Sequence, residues 1–246
     1  MEIETLLPDL SKLPDISGTK LVGTHIPLPT RATLENNLRD FIDSFHLRKS
    51  EGHPTGRIIL GEWGDGKTEL FDSIIKPYSH DKGDLAVYLS GSTFLNARKL
   101  PEVEEIIRKF SLETDKFLVS LIYAIKSHSE IKDIELPEID VDIGVKNIIS
   151  SWFDSIFQDL DSDSNFIVFF DEFEELLDED EGLKAAVKGI RSLISGDVIL
   201  GEKKKYNSRL HLIIACTPAA FYKLEHKKSI GEIVGGFSSR LRPIEI

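Results

Sequence analysis

Eight consecutive residues, Gly61-Glu62-Trp63-Gly64-Asp65-Gly66-Lys67-Thr68, place glycines, a lysine and a hydroxyl at the spacing GxxxxGK(S/T). That spacing suits one chemistry, the gripping of a nucleotide's phosphates. Glycines let backbone amides close around phosphate oxygens where a side chain would collide. A helix opening at this point adds unpaired amides and a positive dipole end. Lys67 would neutralise phosphate charge, and the Thr68 hydroxyl would ligate Mg2+. With Glu69, these residues form the candidate nucleotide-binding set. The competing account is a chance glycine–lysine turn, and the apolar run Arg57-Ile58-Ile59-Leu60 just before it argues against chance.

Phosphate loops work with a second, acidic element. Phe166 to Phe170 are five apolar residues that end on Asp171-Glu172. An acid pair at the carboxyl end of a buried strand stands where open α/β sheets bind ligands. Asp171 would hold Mg2+ through a water, and Glu172 would act as general base toward an attacking water. The plainer account is that the pair merely begins the acidic cluster Glu174, Glu175, Asp178, Glu179 and Asp180. Those later acids read as a solvated face. A further apolar run, Leu210 to Cys216, ends on Thr217-Pro218. Cys216 reads as a buried apolar residue.

The elements that must position these residues follow from the pattern. Continuous apolar strands at 57–60, 84–89, 165–170 and 210–216 alternate with helical stretches, which predicts a parallel sheet covered on both faces. A helix headed by Thr33 as N-cap is expected through Leu34, Leu38, Phe41, Ile42 and Phe45, with a turn-rich break over 51–56. The helix after the phosphate loop is expected to stop at Lys76, before Pro77. One helix is expected over 101–126, an acidic insertion over 127–144, and further helices over 146–160 and 183–194. The first ~30 residues, with Pro14, Pro27 and Pro29, read as an extended arm. The expected division is an arm and leading helix over 1–50 and a phosphate-loop core over 51–246.

Composition narrows the classes. The 246 residues are 41% hydrophobic, enough for a sizeable core, with 30 basic against 42 acidic side chains and a net charge of -12. A domain that grips nucleic acid directly shows the opposite balance. The clusters Lys203-Lys204-Lys205 and His226-Lys227-Lys228 read as solvated loops, so any nucleic-acid contact is expected to be indirect. One cysteine excludes an internal disulfide or a cysteine zinc site. No apolar run reaches a membrane span, and the acidic start lacks a signal peptide's basic flank, so a cytoplasmic place is expected. A single glutamine and a single methionine hint at a thermophilic source.

With the phosphate loop, the acid-ended strand and the Thr217 strand in place, the chain resembles the AAA+/STAND group of P-loop ATPases. The resemblance implies a three-layer α/β core with a mainly parallel five-stranded sheet, ATP and Mg2+ as ligands, and assembly as a homo-oligomer or with other ATPase subunits. It also implies that Thr217 contacts the γ-phosphate and the attacking water, against a plain strand-ending threonine. The ending Ser238-Ser239-Arg240-Leu241-Arg242-Pro243 is similar to the arginine-bearing segment of archaeal origin-recognition initiators. By that likeness Arg240 is an arginine finger for a neighbouring subunit, with Arg242 as the alternative and a structural salt bridge as the plain account. Pro27, Pro29 and Arg31 correspond to a segment bordering the adenine. A second likeness, in Asp171-Glu172 and in Ile214 to Phe221, is to ATP-binding proteins of prokaryotic phage-defence systems.

The chain departs from the family by stopping at Ile246, before the expected helical lid, so it reads either as a fragment or as a core completed by partners. Two other function classes stay open. One is a nucleotide-gated switch with little hydrolysis. The other is a small-molecule kinase, which would need an arginine-rich lid.

Overall fold

The computed structural model describes residues 29–47, 55–128, 152–157, 160, 163–195, 209–226 and 242–245. The strands are β1 (Thr55–Leu60), β2 (Leu85–Ser90), β3 (Phe166–Asp171), β4 (Leu210–Cys216) and β5 (Arg242–Glu245). They pair in the order β2-β3-β4-β1-β5, with every pair parallel. β3 and β4 are buried at every position. Only a strand covered on both faces tolerates the unbroken runs FIVFFD and LHLIIAC.

Alternation sorts the sheet's side chains into two cores. Ile58, Val87, Leu89, Val168, Phe170, Leu212 and Ile214 point to one face, beneath the helices α4 (Gly91–Arg98), α5 (Pro101–Lys109), α6 (Glu113–His128), α7 (152–157) and α8 (Asp180–Ile194). Ile59, Ile167, Phe169, Ile213 and Ala215 point to the other, beneath α1 (Pro29–Leu47) and the helix that follows the phosphate loop. The result is three layers. From α1, Leu34, Leu38, Phe41, Ile42 and Phe45 form the stripe that docks it. Burying each such side chain contributes about 1.5–3 kcal/mol. No helix among the described residues is long and apolar enough to cross a membrane.

Several boundaries differ from expectation. α1 begins at Pro29, so Thr33 lies inside it and is not its cap. Proline fits the first turn because its fixed φ is helical and its missing N–H would be unpaired there anyway. β1 begins at Thr55, inside the expected turn. The loop's helix does not stop before Pro77. It runs from α2 (Lys67–Leu70) through a π-helical turn, Phe71–Ile75, into α3 (Lys76–Asp81). The wider turn absorbs the proline, whose ring would otherwise meet the carbonyl one turn back.

The single helix expected over 101–126 is two, because Phe110 turns extended and ends α5. α4 was not expected at all. Ser90 caps it, accepting from the Thr93 amide at 3.2 Å. α8 starts three residues early, at Asp180, where the Glu179 carboxylate accepts from the Gly182 amide at 2.6 Å. The arm to residue 28, the insertion from 129 to 144 and both lysine-rich loops lie outside the described residues, apart from His226 at the end of α9 (Pro218–His226).

A buried polar network closes the sheet's amino-terminal edge. His211 stacks on Phe45 with ring centroids 3.5 Å apart. Its Nε2 lies 3.2 Å from Asn165 Oδ1 and its Nδ1 2.7 Å from Thr55 Oγ1. Because Asn165 Oδ1 only accepts, Nε2 carries the proton and Nδ1 accepts from the threonine. Burial and the nearby His46 hold the His211 imidazole well below the ordinary histidine range. Asn165 then donates through its backbone N–H and Nδ2 to Asp84 Oδ1, at 2.7 and 3.0 Å, while His46 Nε2 meets Asp84 Oδ2 at 3.0 Å. The network ties α1, β1, β2, β3 and β4 at the edge opposite the phosphate loop.

Candidate functional site

All parallel strands end at one edge, so Gly61, Gly91, Glu172 and Thr217 follow β1, β2, β3 and β4 side by side. β4 sits between β1 and β3. Thr217 thus stands between the phosphate loop and the acid pair.

The loop is braced from within. Gly61 N–H donates to the Cys216 carbonyl at 3.2 Å, tying the loop's root to β4. Asp65 Oδ2 accepts from the Glu62 amide at 2.6 Å, and the Asp65 amide returns to the Glu62 carbonyl at 3.2 Å. Gly64 and Gly66 both sit at positive φ, 91° and 79°, where a side chain would be strained. Among the described residues nothing accepts from the amides of Gly64, Gly66, Lys67 and Thr68. Such a row of unspent amides, opening on a helix start, is a cradle for an anion. Lys67, only 8% exposed, donates Nζ to the carbonyls of Gly61 and Glu62 at 2.7 and 2.9 Å. Trp63 stands out from the loop, 69% exposed, with the Lys67 ammonium 5.9 Å from its ring centre.

Thr68 bridges to the acid pair. Its Oγ1 donates to Asp171 Oδ2 at 2.5 Å, across the width of β4. Asp171 is 1% exposed, and its Oδ1 accepts from the Glu172 amide at 2.9 Å. A hydroxyl and a carboxylate in contact are the hard oxygen donors that Mg2+ takes. No cluster of three His, Cys, Asp or Glu side chains suited to a metal occurs among the described residues.

Glu172 adopts the left-handed conformation, with φ 50° and ψ 40°. Few non-glycine residues do so, and such residues cluster at functional sites. Its carboxyl is pushed above the ordinary glutamate range, first by burial and then by Glu175, Asp171 and Glu174, against the pull of Lys67. A raised carboxyl is better matched to taking a proton near neutral pH.

The acids beyond Glu172 are not one solvated face. Glu175 Oε2 accepts from the Ser92 amide at the start of α4, and Glu179 caps α8. Both carboxylate oxygens of Glu174 are buried and make no hydrogen bond of good geometry, although its own amide and that of Thr217 face them. Asp178 and Asp180 do face solvent. Thr217 is 5% exposed, and its Oγ1 accepts from the Ala220 amide at 3.2 Å, capping α9. Its own hydroxyl proton stays available to a ligand. Trp63, Thr217, Glu174 and Tyr222 border an open groove of about 700 Å³. Cys216 is buried as expected, its thiol pushed up to about 12 by burial and then by Glu174.

Tyr88, which no local pattern in the sequence marks, belongs to the site. Its hydroxyl donates to Asp171 Oδ2 at 3.2 Å. Burial, then Asp171 and Glu172, keep the phenol protonated far above the ordinary tyrosine range. The structure therefore brings Lys67, Thr68, Asp171, Glu172 and Thr217 together. Arg240 and Pro27 lie outside the described residues, as do the side chains of Pro29, Arg31 and Arg242. The Arg242 backbone pairs with Arg57 at the start of β5.

The layers, the strand order and the loop define a three-layer α/β fold with a phosphate loop after its first strand. Among solved structures the chain is similar to the ORC2 protein of Aeropyrum pernix in its ADPNP–ADP complexes, at 16% identity and a TM-score of 0.53, over 91% of this chain and 50% of that one. The ADP form of that protein gives 14% identity and the same TM-score, over 91% of this chain and 50% of that one. Cdc6p of Pyrobaculum aerophilum gives 12% identity and a TM-score of 0.52, over 92% of this chain and 47% of that one. The likeness is one of fold, and the chain spans about half the length of the solved structures it matches. No protein-family model matches the chain, and no curated protein does.

Proposed function

We infer that the chain binds ATP with Mg2+ on the phosphate loop and hydrolyses it at a site that a neighbouring subunit completes. The observation that carries this reading is the 2.5 Å hydrogen bond from Thr68 to Asp171, which joins the loop to the acid pair. The amides of Gly64, Gly66, Lys67 and Thr68 would take phosphate oxygens, and Lys67 would exchange its two loop carbonyls for them. Thr68 and Asp171 would hold Mg2+, which when bound supplies charge for the developing negative oxygens. Glu172 would take the proton of the attacking water, and Thr217, facing the same groove, would orient that water or the γ-phosphate.

The trans arginine rests on the resemblance of the segment Ser238-Ser239-Arg240-Leu241-Arg242-Pro243 to that of archaeal origin-recognition initiators, with Arg240 as the finger and Arg242 as the alternative. The pairing of Arg242 with Arg57 sets it three residues before Leu60, roughly 10 Å from the loop edge. The ORC2 neighbour was crystallised with ADPNP and ADP, which supports an adenine nucleotide here. A DNA transaction and phage defence are the two settings to which the resemblance points.

Mg2+-dependent ATP hydrolysis across a wide range of protein concentration tests the reading, with Lys67→Ala, Glu172→Gln and Arg240→Ala beside the parent. Specific activity should rise with concentration and vanish in all three variants. Lys67→Ala should also lose nucleotide binding, whereas Glu172→Gln should keep it. Tight binding with negligible turnover at every concentration would instead establish a nucleotide-gated switch.

A further inference from the structure

We propose that Tyr88 is a positioning residue that holds the Asp171 carboxylate in its metal-binding orientation; this rests on the reading of the site just given. The argument begins with the pleat. On β2, Val87 and Leu89 face one core, while Ala86 and Tyr88 face the other. Tyr88 pairs with Phe169 in the parallel register, so Asp171, two residues further along β3, lies diagonally ahead on the same face. Diagonal neighbours of this kind are within reach of a long aromatic side chain. The Tyr88 ring is wedged between Phe71, at 5.6 Å, and Phe169, at 6.1 Å. A ring fixed on two sides delivers its hydroxyl to one place.

Asp171 Oδ2 therefore accepts from two hydroxyls of different origin. Thr68 reaches it from the phosphate loop at 2.5 Å, and Tyr88 reaches it from the sheet at 3.2 Å. The Thr68 hydroxyl must also serve the metal, and it stands in the first turn of α2, next to the phosphate loop. The Tyr88 hydroxyl comes from the sheet, and it also lies beside the Thr68 hydroxyl. With the Glu172 amide on Oδ1, it fixes the carboxylate plane from the sheet side. Hydrogen-bond partners of a metal-binding group set its orientation, and their loss weakens the metal by about 10- to 100-fold. If Tyr88 served packing alone, phenylalanine would fill its place equally well.

The test is Tyr88→Phe, which keeps the three-ring cluster and removes one donor. Trp63, on the loop, reports nucleotide binding by fluorescence, and Mn2+ binding to the ADP complex is followed by electron paramagnetic resonance. In EDTA the variant should bind ADP within about 2-fold of the parent. Its Mn2+ and Mg2+ midpoints should rise by about 10-fold. In an Asp171→Asn background the same substitution should change the midpoint no further, since its effect runs through the carboxylate. A Tyr88→Phe midpoint equal to the parent's, or an undiminished shift in the Asp171→Asn background, overturns the proposal. A parent whose ADP binding is indifferent to Mg2+ and to Lys67→Ala overturns the reading of the site itself, and this proposal with it.

Discussion

Substituting Gly91 tests whether the frame around Glu172, rather than the phosphate loop, governs turnover. Gly91 is the first residue of α4, and a Cβ built on it runs into the Glu172 carbonyl oxygen. It would also lie 3.0 Å from Glu175 Cβ and 3.1 Å from Glu175 Oε2. The glutamate tip can swing away, but the carbonyl belongs to the backbone of a residue already held at φ 50°. Either α4 backs off the sheet, breaking the Ser92–Glu175 hydrogen bond, or the Glu172 peptide rotates. Overpacking of this kind costs about 1–3 kcal/mol. For a domain of this size that is a melting temperature lower by roughly 2–12 °C.

The effect on catalysis should be larger than the effect on folding, because a general base displaced by an ångström forfeits most of its ~100- to 10,000-fold contribution. Calorimetry, Trp63 fluorescence with ADP and single-turnover ATP hydrolysis together decide the matter. Gly91→Ala should remain folded at 25 °C, bind ADP like the parent and hydrolyse ATP at least ~100-fold more slowly. Parent-like hydrolysis would refute the reasoning. So would a loss of ADP binding in step with hydrolysis, which would mean that the clash spreads to the loop.

The raised Glu172 carboxyl makes a signed prediction. A carboxyl raised on folding favours the native state least above its folded value and stops mattering below the ordinary glutamate value of the unfolded chain. Glu172→Gln should therefore melt above the parent at about pH 8, with the gap closing toward about pH 4.5; a gap that widens in acid reverses the sign and the argument. At the opposite edge, Asn165→Ala removes both the acceptor of His211 Nε2 and a donor to Asp84. Stranding buried polar groups costs about 1–3 kcal/mol each, so urea melts should show a loss of at least ~2 kcal/mol with nucleotide affinity unchanged; a loss under half that size would show the network to be dispensable.

Buried parallel strands announce themselves, which is why β3 and β4 were legible to within a residue. The loop was legible because phosphate chemistry leaves so few choices of residue between Gly61 and Thr68. Helix breaks were harder. Val103, Ile106, Ile107 and Phe110 run on toward Phe117 and Leu118 in helical phase, so the apolar pattern hides the extended turn at Phe110. Pro77 misled because a rule about α-helices was applied where a π-helical turn makes room. The acids after Glu172 look alike in sequence, and only packing separates Glu175, which accepts from the start of α4, from Glu179, which caps α8. Tyr88 was invisible for a deeper reason. Its neighbour across the sheet is fixed by strand order, and strand order places β2 beside β3 over a separation of about 80 residues.

These differences divide the site into two mechanical parts. The loop is tied down at its root, by Gly61 to Cys216, and closed upon itself by Asp65 and Lys67. A phosphate that displaces the Gly61 and Glu62 carbonyls from Lys67 replaces one set of acceptors with another, so the ammonium needs no new desolvation. The acid pair is held instead by the sheet and α4, through Tyr88, Gly91 and the Ser92–Glu175 contact. Among the described residues the two parts meet at Thr68, whose hydroxyl donates to Asp171 and lies beside that of Tyr88. Substitutions in the frame should therefore separate turnover from binding, and substitutions in the loop should abolish both. On the proposed reading, an arginine from a second subunit would act on the reaction without touching either support, and assembly would then control hydrolysis while each subunit kept its nucleotide.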